Sequence, residues 1–520
     1  MAESANAAKG HPKGLYILFV TEMWERFSYY GMRAIFVLFL SKALLMSDKD
    51  ASNIYGSFTG LVYLTPLLGG YISDRYWGNR KSILIGGIMM AIGQIMMFMS
   101  GSFVGTDLAT PLMVSGLGFL ILGNGFFKPN ISTMVGQLYP KNDVRVDGAF
   151  TIFYMGINLG AFFSPLICGG LGDTGDIHDF KWGFLAAGIG MIISVITFEV
   201  MKNKYLLSPE GEPVGMPPSH YKKEVTAGVV DVPKSSMNNI YMIFGIGIAV
   251  AFAFYYFLEL DVIGSIIFAS AIAIPAMIIT DNSLQKDEKE RIWVIFILAF
   301  FVIFFWSAFE QAGASLTLFA DKQTDRYIGG WEMPASWFQS INPLGIILLA
   351  PLFSSLWVGL GKRNMEPSSP LKMAMGLGLL CLGYVVIAIG VHGVDASVKI
   401  SMWWLITLYF LHTMGELALS PIGLSMVSKL APVRFASLLM GTWFLANAAA
   451  NKLAGTLSAL IPPSGTDGEA LAAIEFPTLL GYQITNLYEF FMIFIIMSGA
   501  AAVILLLIYK RLLKMMHGVN

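Results

Sequence analysis

The apolar stretch YILFVTEMWERFSYYGMRAIFVLFL near the start of the chain carries four charged residues: Glu22, Glu25, Arg26 and Arg33. A charge at the middle of a bilayer costs roughly 3 kcal/mol on insertion scales. Glu22, Arg26, one of Tyr29 or Tyr30, and Arg33 recur every three or four residues, so on a helix they share one face. This face predicts a polar pathway through a membrane protein.

The composition supports this interpretation. The chain has 520 residues, of which 56% are hydrophobic and 13% are charged, whereas a soluble protein carries about 25% charged residues. A net charge of −1 gives no reason to expect nucleic acid as a partner. Cys168 and Cys381 lie in separate apolar stretches and are expected to be free thiols. Because no small-residue cleavage site precedes it, the first helix is expected to be an anchor that is retained.

Fourteen apolar segments are long enough to cross a membrane. They lie near residues 14–41, 52–76, 79–101, 111–138, 147–169, 182–201, 239–257, 261–280, 291–319, 336–361, 371–392, 399–429, 432–460 and 484–513. An even number of crossings places both termini on the same side. The segments that would then face the cytoplasm hold 23 of the 33 basic residues and the opposite loops hold six, so both termini are predicted to be cytoplasmic.

The chain divides into three parts. Residues 202–238 are polar and rich in proline, which is typical of a linker, and the two short helices after them carry no charge inside. Without residues 202–290, six helices remain on each side. This is the 6+6 plan of major facilitator transporters, an all-α integral membrane fold. The predicted domains are 1–201 (first six-helix bundle), 202–290 (linker and two-helix insertion) and 291–520 (second bundle).

Two pairs of charges occupy matching positions in the two halves. Arg33 and Glu310 lie at the same distance from the start of their helices, and so do Lys128 and Glu416. Each pair has a cation in the first half and an anion in the second. A cavity with charges of opposite sign on its two walls suits a zwitterion with separated ends, such as a free peptide. The alternative is that these residues form structural ion pairs. Together with the remaining charges of the first helix, the apolar segments hold seven such residues: Glu22, Glu25, Arg26, Arg33, Lys128, Glu310 and Glu416. If unpaired they would oppose insertion by about 20 kcal/mol. A functional role is favoured, because apolar residues would build a bundle more easily.

Sequence motifs along most of the chain resemble the proton-dependent oligopeptide transporter (POT) family of the major facilitator superfamily. They are an ExxER motif at Glu22–Arg26, Asp74-Arg75 with Gly78, Lys128-Pro129-Asn130, Phe153 to Gly160, Phe305 to Gln311, Asn342-Pro343, Gly415 to Pro421 and Gly441 to Phe444. The two-helix insertion resembles bacterial members, which implies a multi-pass protein of the bacterial cytoplasmic (inner) membrane.

The resemblance implies residue roles. Arg26 and Lys128 would bind the peptide carboxylate, and Glu416 the amino terminus. Further peptide contacts would come from Tyr30, Tyr63, Asn158, Trp306, Asn342, Ser420, Trp443 and Phe444. Proton coupling would rest on Glu22, Glu25, Arg26 and Lys128, and a salt bridge between Arg33 and Glu310 would close the outer side.

The implied activity is import of di- and tripeptides with protons by alternating access. A carboxylate that loses a basic partner in a low dielectric takes up a proton, so competition of the peptide carboxylate for Arg26 and Lys128 would link the two substrates. No cofactor, metal, nucleic acid or obligate protein partner is expected. Neither His412 nor Lys452 receives a firm role, although His412 is one turn from Glu416.

Other functions remain open at this point. The same fold could carry an anion such as nitrate, although Glu416 and Asn342 argue for a substrate with an amino group. A receptor or a membrane enzyme is the alternative of a different class. The sequence has no Walker A, HExxH or GxSxG motif, which argues against an ATP-driven pump and against common peptidase chemistry, so no enzymatic activity is expected.

Overall fold

The computed structural model describes residues 10–140, 143–221, 237–257, 260–395, 398–419, 423–432, 435–463 and 476–518. Sixteen α-helices lie within them: α1 Lys13–Leu38, α2 Asp48–Ile72, α3 Gly78–Ser102, α4 Ala109–Gln137, α5 Val146–Gly172, α6 Phe180–Tyr205, α7 Met237–Phe257, α8 Val262–Ile279, α9 Lys286–Phe309, α10 Ser315–Gln323, α11 Ile341–Lys362, α12 Ser369–Val391, α13 Met402–Leu419, α14 Gly423–Leu430, α15 Ala436–Ser458 and α16 Leu487–Met515.

All fourteen predicted segments coincide with helices, which confirms the prediction. One of the segments contains a break. Residues 291–319 form α9 and the start of α10, with a 3₁₀ turn at Glu310–Gly313 between them. Residues 399–429 contain α13 and α14, which lie on either side of residues 420–422, outside the described part of the chain. Nine helical runs in the described parts of the chain are long and apolar enough to cross a membrane, and one of these runs joins α2 to α3.

Six two-residue strands lie in the connections. Strands β1 (Thr324–Asp325) and β4 (Ile400–Ser401) pair in parallel. β2 (Tyr327–Ile328) pairs antiparallel with β3 (Trp331–Glu332), and β5 (Thr478–Leu479) with β6 (Tyr482–Gln483). Gly329 and Gly330 both have positive φ angles, 58° and 90°, which glycine adopts without the Cβ clash that other residues meet.

The chain forms two compact units. The first comprises Met1–Ile35 and Thr65–Ala227, and the second Phe36–Leu64 and Gly228–Asn520. In the first unit α3 packs against α4 and α6. A Cβ on Gly86 would lie 2.5 Å from the Gly123 carbonyl oxygen, so glycine is what allows α3 and α4 to approach this closely. Tight α3–α4 packing then positions the part of α4 that reaches the site.

In the second unit α12 packs against α13 and α16, and α9 packs against α15 and α16. The inserted helices α7 and α8 pack against each other, and α8 also packs against α15. The units have bounds that differ from the predicted domains 1–201, 202–290 and 291–520, because the first unit ends within the linker and α2 contributes to both units. The predicted domains stay a prediction.

Candidate functional site

Three charged side chains of α1 form one buried cluster. The Arg26 Nε lies 3.0 Å from Glu22 Oε1 and 2.5 Å from Glu25 Oε2. Glu22 and Arg26 are 2% exposed and Glu25 is fully buried. We call these three residues the α1 charge cluster. One guanidinium faces two carboxylates, so the cluster has an excess of one negative charge when both acids are ionised.

Helices α4 and α5 enclose this cluster within the first unit. Asn124 of α4 donates from Nδ2 to Glu25 Oε1 at 3.4 Å. Lys128 lies one turn further along α4 and is half-buried. On α5, a Cβ at Gly160 would lie 2.2 Å from the Met23 carbonyl oxygen, so a glycine is required for α5 to lie against α1 here. The enclosure keeps the carboxylates out of bulk water. Their charge interactions are stronger in this low-dielectric surrounding than they would be in water.

Three more predicted residues lie in the same unit. The Arg33 guanidinium stands over the Tyr30 ring, 5.3 Å from its centroid. Asn158 of α5 is 5% exposed and donates from Nδ2 to the Tyr154 carbonyl oxygen at 2.9 Å. Because its amide nitrogen is committed to its own helix, Asn158 Oδ1 is the atom oriented to accept a hydrogen bond from elsewhere.

A second buried carboxylate lies in the other unit. Asn342 of α11 donates from Nδ2 to Glu416 Oε2 of α13 at 2.8 Å and to Thr413 Oγ1 at 3.1 Å. Glu416 is 7% exposed. We call Asn342, Thr413 and Glu416 the Glu416 cluster. The carboxylate is held here by a neutral amide, whereas an arginine holds both carboxylates of the α1 charge cluster.

The predicted aromatic residues have packing partners of their own. The Trp306 ring makes edge contacts with Phe305 and Phe309, at centroid distances of 5.3 and 5.1 Å, and it stays half-buried. Trp443 is 5% exposed on α15. A Cβ at Gly423 would lie 2.4 Å from the Trp443 ring, so this glycine makes room for the indole. Phe444 follows on α15 and is half-buried.

The remaining predicted residues have separate positions. Tyr63 of α2 packs against a buried cluster that includes Ile267 of α8 and Leu445 of α15. Ser420 lies outside the described residues. Arg33 and Glu310 are both buried, at 7% and 5% exposure, and their pairing stays a prediction.

Sequence reasoning missed four partners. Asn124 and Thr413 were not singled out, although each lies one turn from a predicted charge, Lys128 and Glu416 respectively. Lys452, which had no assigned partner, donates to Ser57 Oγ at 2.7 Å and to Asp261 Oδ2. The partners of Lys452 lie 395 and 191 residues away along the chain, so no local pattern could have revealed them.

His412 is buried among aromatic rings and has a hydrogen bond to the Leu380 backbone. Its ring lies 4.9 Å from the ring of Tyr384 and 6.2 Å from that of Phe309. Its Nε2 atom has no hydrogen-bond partner among the described residues. Within the parts of the chain that the structure describes, no group of three or more His, Cys, Asp or Glu side chains could hold a metal ion.

Comparison with known proteins identifies the family. The family model described as "POT family" matches residues 80–470. The chain is 37% identical over 465 residues to the peptide transporter YePEPT of Yersinia enterocolitica, covering 86% of this chain and 88% of that protein. It is 33% identical over 453 residues to a di-/tripeptide transporter of Lactococcus lactis, covering 84% of this chain and 87% of that one.

Solved structures agree with this assignment. The fold is similar to a peptide transporter POT crystallised in complex with alafosfalin, with a TM-score of 0.77, 32% identity and coverage of 99% of this chain and 97% of that one. A POT family transporter in complex with 5-aminolevulinic acid matches with a TM-score of 0.76, 32% identity and coverage of 98% of both chains. The protein is therefore a multi-pass membrane protein of the proton-dependent oligopeptide transporter family, with the major facilitator fold that this family shares.

Proposed function

We propose that this protein imports di- and tripeptides together with protons across the bacterial inner membrane by alternating access. Its relatives include peptide and di-/tripeptide transporters. The observation that carries the proposal for this chain's own residues is the contrast between its two buried acidic clusters. One holds its carboxylates on an arginine, and the other holds its carboxylate on a neutral amide.

In this proposal the peptide carboxylate binds to basic residues of the first half. Arg26 Nε forms salt bridges with two acids at 3.0 and 2.5 Å, and the attraction between such charges is stronger in a site removed from water. A peptide carboxylate that approaches Arg26 and Lys128 competes with these acids. An acid displaced from its basic partner in a low-dielectric site takes up a proton. The exchange thereby links peptide binding to proton binding at Glu22 and Glu25.

The peptide amino terminus binds to the Glu416 cluster in this proposal. An ammonium group needs hydrogen-bond acceptors and a negative charge, and Glu416 supplies both. Because the described donor to Glu416 is a neutral amide, a ligand ammonium can pair with this carboxylate without displacing a base. A substrate that is only an anion, such as nitrate, has no group for this carboxylate to bind, so the anion-transport alternative is not favoured.

The test is uptake of radiolabelled dialanine into proteoliposomes that have an alkaline interior and a negative-inside potential. The expected result is accumulation that a protonophore abolishes. Liposomes without protein and liposomes with the Glu416→Gln variant are the controls. If folded protein accumulates nitrate and leaves dialanine untouched under the same gradients, the peptide proposal is wrong.

A further inference from the structure

The hydroxyl group of Thr413 has its single proton already committed. Thr413 Oγ1 donates to the Tyr409 carbonyl oxygen on its own helix at 2.8 Å. A threonine hydroxyl has one proton to donate and can accept further hydrogen bonds. Toward Asn342, therefore, the Thr413 oxygen acts only as an acceptor.

The acceptor role of the Thr413 oxygen fixes the orientation of the Asn342 amide. Its two close neighbours are the Thr413 hydroxyl at 3.1 Å and Glu416 Oε2 at 2.8 Å, and an ionised carboxylate is also only an acceptor. The amino group of Asn342 must face both. The reverse orientation would place Oδ1 against two oxygens that have no proton to offer. Asn342 Oδ1 consequently points away from this pair, on a side chain that is half-buried.

From this geometry we infer that Thr413 is a positioning residue for recognition of the peptide amino terminus, an inference that rests on the proposed function. By holding the Asn342 amino group, Thr413 directs Oδ1 outward. Asn342 Oδ1 and the Glu416 carboxylate together form a pair of acceptors for an ammonium group. Gly345 makes the contact possible, since a Cβ there would lie 3.0 Å from Thr413 Cγ2.

Kinetics of dialanine uptake by Thr413→Val and Thr413→Ser test the inference. A single neutral hydrogen bond corresponds to roughly a five-fold change in an equilibrium constant. Thr413→Val is expected to raise KM about five-fold and to leave the maximal rate nearly unchanged, whereas Thr413→Ser, which keeps the hydroxyl, restores the parent KM. Thr407→Val is the matched control, because the Thr407 hydroxyl also donates to a carbonyl of α13, that of Trp403.

The outcomes separate the two levels of the proposal. If the parent protein transports no dialanine, the proposed function itself fails. If the parent transports dialanine but Thr413→Val has the parent KM, or Thr413→Ser is as impaired as the valine variant, only the role of Thr413 is wrong. An equal effect of Thr407→Val would likewise overturn it, because that change does not reach Asn342.

A separate observation concerns the inserted helices. Lys452 of α15 is 1% exposed, and a buried ammonium without a counter-charge is strongly unfavourable. Its acid partner is Asp261, the residue that caps the start of α8 by accepting a hydrogen bond from the Gly264 amide at 2.6 Å. Ser57 of α2 also binds the ammonium, at 2.7 Å. One lysine therefore joins α2, α8 and α15.

The surrounding contacts bring α2 and α15 to near backbone contact. A Cβ on Gly56 would lie 2.6 Å from the Cα of Gly455. The hydroxyl groups of Ser52 and Ser458 lie 2.9 Å apart and both residues are fully buried. Beside this contact the Lys452 side chain is 2% exposed and that of Asp261 is 43% exposed, so the ammonium is the buried member of the ion pair.

We propose that the insertion acts as a latch: Asp261 supplies the charge that allows Lys452 to stay buried, and the ion pair holds residues 48–64 of α2 against α15. Removing the acid would leave the buried Lys452 ammonium without a counter-charge, which is strongly unfavourable, whereas a variant in which both partners are neutral leaves no charge unpaired. The Asp261→Asn variant removes the charge but keeps a good helix cap, because asparagine caps helices as well as aspartate does.

Maleimide labelling of a cysteine at position 458 tests the latch. The measurement uses purified protein with Cys168 and Cys381 replaced by alanine and Ser458 by cysteine. Asp261→Asn is expected to raise the labelling rate at least about ten-fold, as the loss of a charged hydrogen bond implies. The double variant with Lys452→Met is expected to return toward the parent rate, because no unpaired charge remains.

Glu366→Gln is the matched control. It removes an acid that is 46% exposed, close to the 43% of Asp261, from an ion pair in which the Lys372 side chain is 13% exposed rather than the 2% of Lys452. Labelling of the Asp261→Asn protein at the parent rate would overturn the latch. Labelling of the double variant as fast as the single one would also overturn it, because the effect would then not depend on charge pairing. Should Asp261→Asn fail to fold, the double variant folding with parent-like labelling would still support the pairing.

Discussion

The two buried acidic clusters of this transporter are built on different principles. In the α1 charge cluster, acids and base lie within one turn of a single helix, and Arg26 binds both Glu22 and Glu25. In the Glu416 cluster, the carboxylate and its donor Asn342 come from two helices, and the donor is neutral. In the first cluster the protein supplies a basic partner to both acids, although one negative charge is in excess when both are ionised. In the second cluster the described donor to the acid is neutral, so a ligand ammonium would not have to displace a base.

This difference suggests a division of labour. A cluster that contains its own base responds to a competing anion by releasing an acid, which then binds a proton. A carboxylate held by an amide attracts a cation without having to release a partner first. The first arrangement is suited to coupling and the second to recognition. The comparison predicts that substitutions will damage the two clusters in different ways.

The largest effect is expected for Arg26→Met. Removing the base leaves two carboxylates in a buried site, and breaking a buried ion pair in this way costs about 3–5 kcal/mol. We expect a lower melting temperature in detergent and a loss of dialanine uptake of more than about 100-fold. A thermal-shift assay and proteoliposome uptake measure the two effects. A variant with parent stability would show that the cluster is not held together by Arg26.

Glu416→Gln is expected to impair binding while leaving the fold intact. Glutamine can still accept the hydrogen bond from Asn342, and no charge is left unpaired. Loss of a charged hydrogen bond to the peptide ammonium, about 1.5–3 kcal/mol, raises KM by roughly 10- to 100-fold. The melting temperature should change by less than about 2 °C. A large fall in melting temperature with unchanged KM would reverse the proposed contrast between the clusters.

Two glycine substitutions compare the packing around the clusters. Gly160→Ala places a methyl group 2.2 Å from the Met23 backbone oxygen, whereas Gly345→Ala places one 3.0 Å from the Thr413 methyl group. Backbone cannot move as easily as a side chain, so Gly160→Ala is expected to cost about 1–3 kcal/mol and Gly345→Ala less. Melting temperatures of the two variants measured side by side check this order, which equal shifts would contradict.

The smallest effect is expected outside the membrane-spanning segments, at Asp143. Its carboxylate accepts hydrogen bonds from the Arg145 side chain, the closest at 2.7 Å, and from the Arg145 backbone. These interactions lower the pKa of Asp143 to about 2. A carboxyl group whose pKa is lower in the folded than in the unfolded protein stabilises the fold at every pH above its unfolded-state pKa. This stabilisation is lost only as the pH falls toward 2. Asp143→Asn should therefore leave the pH profile of uptake between about pH 5 and 8 unchanged.

Much of the architecture could be predicted from hydrophobicity alone. A bilayer forces long apolar helices, and for this reason all fourteen segments were found. The break between α9 and α10 was not predicted. At the end of α9, Gln311 donates to the carbonyl oxygens of Ser307 and of Ala454, and the second of these is a tertiary contact 143 residues away. Hydropathy carries no information about such a contact.

The candidate site was likewise predictable only in part. Charges at helical spacing on α1 predicted a shared face, and the structure places Glu22 and Arg26 in contact. The proximity of Asn342 to Glu416, by contrast, was implied only by family resemblance, because 74 residues separate them. Lys452 was visible as a charge within a helix, yet its partner Asp261 comes from an inserted hairpin. The sequence therefore identified the charges that need partners, whereas several of those partners could be identified only from the structure.

The most direct test of the division of labour compares two assays on the Glu22→Gln/Glu25→Gln double variant and on Glu416→Gln. One assay measures proton-driven accumulation of dialanine, and the other measures counterflow, in which labelled peptide exchanges without a proton gradient. We expect the double variant to lose accumulation and keep counterflow, and Glu416→Gln to lose both at low peptide concentration. Undiminished accumulation by the double variant, or undiminished counterflow by Glu416→Gln, would contradict it.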